Sequence, residues 1–183
     1  MSDAFESMGS TLILGPSDVG KTRATASALE DWTANRGVDG MVVLDFAPEV
    51  RRDDGTLLGG RLTRFRALPD TAWCGVLEAY APRASATTQQ EALEYARRNG
   101  ANAATLLDTA PRPTALFVND ATIPFQHPAY PPIPLLKLLE DATYAVLNAF
   151  ESTELGRDDL ISRTERETRE QLRTAVDRVC HLE

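Results

Sequence analysis

The stretch Thr11 to Thr22, TLILGPSDVGKT, governs how the rest of the chain is read. A short apolar run, Leu12-Ile13-Leu14, leads into Gly15, four intervening residues, and then Gly20, Lys21 and Thr22. This order predicts a buried strand, a tight loop and the start of a helix. Backbone N–H groups can converge on a small volume only where side chains leave room, so glycine at both ends suits a loop that wraps phosphate oxygens. The positive end of the following helix adds to the attraction. With this spacing Lys21 reaches the β- and γ-phosphates of a triphosphate as a point charge, and the Thr22 hydroxyl holds Mg²⁺. The expected nucleotide contacts are Gly15, Pro16, Ser17, Asp18, Val19, Gly20, Lys21, Thr22 and Arg23. A chance match anywhere in the chain has a probability on the order of one in a thousand.

Composition narrows the classes. The chain has 183 residues, 43% hydrophobic and 25% charged, ordinary values for a globular protein with a real core. A net charge of -8 argues against a broad basic surface for duplex nucleic acid, while a local anion site stays open. Arginine heavily outnumbers lysine, and one of the two lysines, Lys21 and Lys137, stands in the phosphate loop. Cys74 and Cys180 lack CxxC spacing, and with only His127 and His181 there is little material for a zinc site. The opening MSDAFESMGS is polar and acidic rather than signal-like, and no apolar run is long enough to span a bilayer. The expectation is a cytoplasmic protein with reduced thiols.

Outward from the loop, residues 1–10 read as a flexible lead-in and 11–183 as a single domain. A helix is predicted to about Arg36, with Ala24, Ala28, Leu29 and Trp32 on one face and Gly37 as its stop. Met41 to Phe46 reads as a strand covered on both faces. After Pro48 a polar stretch runs to about Pro69, with a hairpin around Asp53-Asp54-Gly55 or Gly59-Gly60. A strand is expected over Cys74 to Tyr80. Thr88 with Glu91 forms a capping-box pattern for a helix to Arg98 that breaks or bends at Asn99-Gly100, with a further helical piece to Thr109. Ala115 to Val118 reads as a buried strand leading into Asn119-Asp120. A proline-rich loop follows, then a short helix over Leu135 to Asp141. Tyr144 to Phe150 reads as a strand or an extension of that helix. Ser162 with Glu165 is a second capping-box pattern, for a helix to about Val176, and Asp177 to Leu182 closes the chain as a strand. The alternation predicts a three-layer α/β/α sandwich around a mostly parallel sheet of five or six strands.

Ligands in such sheets sit at the carboxyl ends of the strands. Two acids end apolar strands there, Asp45 and Asp120. Asp120 is the expected second Mg²⁺ ligand beside Thr22, and Asp45 the candidate general base for a substrate hydroxyl. Together with Lys21 they form the candidate catalytic set. Ala121 follows Asp120, so no water-polarising glutamate stands next to it, and fast hydrolysis is not expected. Arg51, Arg52, Arg61, Arg64 and Arg66 either clamp an anionic second substrate or form a solvated loop with Glu49, Asp53 and Asp54. Arg163, Arg166, Arg169 and Arg173 read as an exposed helix face with ion pairs to Glu165, Glu167 and Glu170, with Arg157 or Arg163 as a lid arginine in a second reading. His127 lies in the proline-rich loop, which is either a surface for a protein partner or a stiff connection.

Gly15 to Thr22 resembles the Walker A motif of the P-loop NTPase superfamily. The spelling GPSDVGKT looks like the loop of the RNA 5′-hydroxyl polynucleotide kinases, in which an aspartate-bearing strand such as MVVLDF follows. That family continues Asp-x-Asp and Gly-Gln, whereas this chain reads Asp45-Phe46-Ala47-Pro48-Glu49. The layout ALFVND, YAVLNAF, DRVCHLE is similar to that of ATP-dependent corrinoid adenosyltransferases, without their lysine-rich loop. The Asn-Lys-x-Asp of GTPases is absent, which favours ATP. The resemblance implies a Mg²⁺-ATP enzyme, first a phosphotransferase acting on a small-molecule or nucleotide acceptor. The alternatives are a slow ATPase or switch working on a protein partner or a second copy of itself, and an adenosyltransferase.

Overall fold

The computed structural model describes residues 8–51, 55, 57–58, 60–151 and 159–183. Six strands form one sheet: β1 (Gly9–Gly15), β2 (Met41–Asp45), β5 (Trp73–Val76), β6 (Ala115–Asn119), β7 (Tyr144–Phe150) and β8 (Arg178–His181). Their order is β5-β2-β6-β7-β1-β8, and every neighbouring pair is parallel. A two-stranded antiparallel hairpin, β3 (Val50–Arg51) and β4 (Leu57–Leu58), stands apart from it. It lies in the polar stretch where a hairpin is expected; Asp53, Asp54 and Gly59 of the two expected turns lie outside the described residues.

Both faces of the sheet are covered. On one, α1 (Lys21–Arg36) packs Ala26, Ala28 and Leu29 against Ile13, Val43, Phe117 and Val146. On the other, α3 (Gln89–Thr109), α4 (Ile133–Asp141) and α5 (Leu160–Ala175) bring Ala103, Leu107, Leu135, Leu139 and Leu172 against Leu12, Leu44, Leu116 and Leu147. The result is a three-layer α/β/α arrangement. Burial on both faces explains why the central strands read as continuous apolar runs and not as alternating ones. Among the described residues, no helix is long and apolar enough to cross a membrane.

Three local expectations are corrected. The 89–109 helix does not break at Asn99-Gly100. Asn99 is fully buried and exchanges hydrogen bonds with the Tyr80 backbone, Tyr80 N–H to Oδ1 at 2.9 Å and Nδ2 to Tyr80 O at 2.9 Å. Gly100 lets the Tyr130 ring pack directly on the helix backbone. The strand expected over Cys74 to Tyr80 ends at Val76, and Pro82 opens a short helix, α2 (Pro82–Ser85), where its missing N–H costs nothing. At α5 the cap is Asp159, whose Oδ1 accepts the Ser162 N–H at 2.8 Å, and Glu165 turns inward. Thr88 does cap α3, accepting the Glu91 N–H at 3.1 Å, but the Glu91 carboxylate closes on Thr87 instead.

Candidate phosphate-binding site

The loop between β1 and α1 lies at the carboxyl end of the sheet. Gly20 caps α1 with φ 96°, a conformation that glycine adopts without penalty. Gly15 has no room for a side chain, since a Cβ there would lie 2.5 Å from the Leu182 carbonyl oxygen. Among the described residues, the non-glycine positions with positive φ are Asp18 (63°) and Asp120 (54°). Both belong to the expected site, and sparsely populated backbone conformations of this kind collect where function demands them.

Lys21 is buried, 8% exposed, and its Nζ donates to the Pro16 carbonyl inside the loop. It also stands 5.9 Å from the centroid of the Phe150 ring. Burial draws its pKa below the ordinary lysine value, and the carboxylates of Asp120 and Asp18 oppose that shift. Asp120 follows the last residue of β6. Burial raises its pKa to about 6, against the pull of Lys21 and with further upward pushes from Asp45 and Glu165. β7 lies between β1 and β6, so the loop and Asp120 come from strands separated by one inserted strand.

Asp45 ends β2 and is 1% exposed. Its carboxylate is fully engaged: Oδ2 accepts the Leu62 N–H at 2.7 Å, and Oδ1 accepts Asn119 Nδ2 at 2.8 Å and the Ala47 N–H at 3.3 Å. Burial still raises its pKa above the usual carboxylate value, with those hydrogen bonds acting in the other direction. The aspartate thus also tethers the 60–66 segment, and Gly60 of that segment lies beside the Thr22 hydroxyl.

Two buried amides join these parts. Asn119 Nδ2 also donates to the Gly60 carbonyl at 2.8 Å. Asn148, within β7, donates from Nδ2 to Asn119 Oδ1 and to Thr25 Oγ1, both at 2.8 Å, and accepts the Asp120 N–H at 3.0 Å. Thr25 donates to the Lys21 carbonyl at 3.1 Å. One chain of hydrogen bonds therefore runs from the 60–66 segment through β6 and β7 to the first turn of α1, and a fully satisfied buried network of this kind rigidifies what it joins. The visible signal for both asparagines is an amide inside an otherwise apolar, doubly covered strand.

The remaining candidates are distributed differently. Arg23 is exposed, and its guanidinium lies 5.6 Å from the Phe65 ring, beside a shallow depression of ≈ 220 Å³ lined by Arg23, Ala26, Ser27, Glu30, Phe65 and Arg66. Arg61 pairs with Glu78 at 3.1 Å, Arg64 with Glu49 at 3.5 Å and Arg66 with Glu30 at 2.6 Å. The side chains of Arg51 and Arg52, like Arg157, lie outside the described residues. On α5 the expected pattern of intrahelical pairs is only partly present: Arg169 and Arg173 reach Glu151, at the end of β7, at 3.1 and 3.7 Å. His181 Nδ1 lies 3.1 Å from Glu151, and its Nε2 faces Arg173 at 3.0 Å, an arrangement that places the proton on Nδ1. His127 accepts the Ala129 N–H at 3.1 Å and packs on Tyr130, and burial lowers its pKa.

This end of the sheet brings together a glycine-capped N-terminus of a 16-residue helix, a buried lysine, the Thr22 hydroxyl and the strand-end carboxylate of Asp120, donor types of the kind that phosphate groups and hard cations take. Comparison of the chain with protein-family models, curated proteins and solved structures finds no match.

Proposed function

We propose that the chain is a Mg²⁺-ATP-binding P-loop enzyme, in the first place a phosphotransferase. The observation that supports this reading is that the Gly15 to Thr22 loop and Asp120 stand at the same end of the sheet, on strands separated only by β7. Lys21 and the loop amides hold the phosphates, while Thr22 and Asp120 hold the metal, which when bound neutralises charge on the transferring phosphoryl group. Asp45 receives the proton of an acceptor hydroxyl, and burial makes it more basic than an ordinary carboxylate. The full engagement of the Asp45 carboxylate by Leu62, Asn119 and Ala47 favours a second reading, a slow ATPase or switch in which the nucleotide repositions the 60–66 segment for a protein partner.

Calorimetry with Mg²⁺-ATP tests the shared foundation. Lys21→Ala is expected to weaken binding at least about tenfold with an unchanged circular dichroism spectrum. Unaltered affinity would remove the reading altogether. Product analysis then separates its branches. ADP formed only with an added acceptor marks a kinase. ADP formed slowly, and faster with a partner protein, marks a switch. Released triphosphate marks adenosyl transfer.

A further inference from the structure

Arg83 lies on α2, far from the phosphate loop in sequence and outside every motif discussed so far. Its guanidinium nevertheless stands 5.5 Å from the centroid of the Phe150 ring, the same ring that Lys21 Nζ approaches to 5.9 Å. Phe150 is the register partner of Gly15, and the next residue, Glu151, donates its N–H to the Gly15 carbonyl at 2.9 Å. Both cations therefore approach the ring of a residue that pairs with Gly15, at the start of the loop. Lys21 comes from the helix on one face of the sheet, and Arg83 is held by α5 on the other.

What holds Arg83 is a buried carboxylate that also ties down the segment after Asp120. Glu165 is 3% exposed, and its Oε2 lies 2.5 Å from an Arg83 terminal nitrogen. Its Oε1 accepts Thr122 Oγ1 at 2.9 Å and Gln126 Nε2 at 3.0 Å. Thr122 and Gln126 belong to the segment just after Asp120, so the anchor of the arginine is built on the same segment as the candidate metal ligand. A buried ion pair contributes little net stability compared with well-packed apolar residues, because desolvation offsets the attraction. Placing a guanidinium is a task for which such a pair is suited. The Arg83 side chain keeps 23% of its surface exposed, and a guanidinium has five donors in a rigid fork, so the pairing with Glu165 leaves donors for a phosphate.

We propose that Arg83 is a second cation of the phosphate site, contacting the terminal phosphate of the bound triphosphate, and that Glu165 is its positioning residue. The inference rests on the nucleotide reading given above and deepens it: Lys21 serves both di- and triphosphates, whereas Arg83 distinguishes between them.

The test is calorimetry on the full chain with Mg²⁺ and either a non-hydrolysable ATP analogue or ADP. Because Arg83→Gln alone would leave Glu165 buried and unpaired, the main variant is Arg83→Gln with Glu165→Gln, which keeps shape and hydrogen bonding without charge; Arg83→Lys is the second. The double variant is expected to lose about tenfold in affinity for the analogue and less than about twofold for ADP. Arg83→Lys should lose about threefold or more for the analogue alone, since an ammonium cannot reproduce the fork. Equal losses for the two ligands would mean a structural role and overturn the proposal, as would no loss for either. If Lys21→Ala weakens both ligands while the Arg83 variants change neither, the phosphate-loop reading stands and this inference falls. If the wild-type chain binds neither ligand, both fall.

Discussion

Asp120 shows how a single residue's surroundings set its chemistry. Burial raises its pKa to about 6, and the Asp45 and Glu165 carboxylates add to the rise while Lys21 restrains it. A carboxyl that holds its proton more tightly in the folded state than in the unfolded chain stabilises the fold below the unfolded pKa, and that contribution is lost as pH climbs through the folded value. Asp120→Asn should accordingly gain stability relative to wild type between pH 4 and pH 7, by about 1–3 kcal/mol, in paired urea denaturations. In the proposed site the same proton would compete with a divalent cation, so Mg²⁺-dependent nucleotide binding is expected to weaken below about pH 6. Lys21, Thr22 and Asp120 could be proposed from sequence because each has a fixed position relative to a strand end. Asn119 and Asn148 left only the trace of an amide in an apolar strand, and the contacts of Arg83 and Glu165 depend on partners on other elements. Glu165 even carries a misleading local pattern, three residues after Ser162, that Asp159 makes redundant.

At the scale of elements, α3 shows where local propensity and tertiary context disagree. Asparagine followed by glycine is a strong local stop signal, yet α3 runs through Asn99-Gly100 to Thr109. The Asn99 amide serves as a hydrogen-bond partner for the Tyr80 backbone, and Gly100 accommodates the Tyr130 ring. Both residues are explained by neighbours that a one-dimensional reading does not contain. Asn99→Ala is expected to cost about 2–3 kcal/mol by leaving the Tyr80 N–H and carbonyl without this partner. Gly100→Ala trades a better helix propensity for overlap with the Tyr130 ring and should cost about 1–3 kcal/mol. Urea midpoints at constant m-value would check both. By contrast α1 ends at Arg36 with Gly37 as its cap, as the sequence implies, because its boundaries are set by local capping chemistry rather than by distant contacts.

For the whole molecule, the α/β/α class was legible because central parallel strands must be apolar on both faces, and MVVLD, ALFVN and YAVLNAF are. The order of strands was not, since a parallel ladder leaves no turn in the sequence to mark who pairs with whom. The proposed ligand would bind a site assembled from several elements, so occupancy should be felt globally. At a Mg²⁺-ATP concentration of a hundred times Kd, linkage stabilises the fold by about 2.7 kcal/mol, a rise in Tm of about 5–10 °C for a chain of this size. Lys21→Ala should lose most of that rise in a thermal-shift assay. The sheet order also bears on time. β1 pairs with β7 and β8, both from the last quarter of the chain, whereas β2, β5 and β6 find partners among themselves. During synthesis β1 is made long before either of its neighbours, β7 and β8. It must wait for both to emerge, so any nucleotide-dependent gain in stability would come only after the rest of the sheet has a template on which to close.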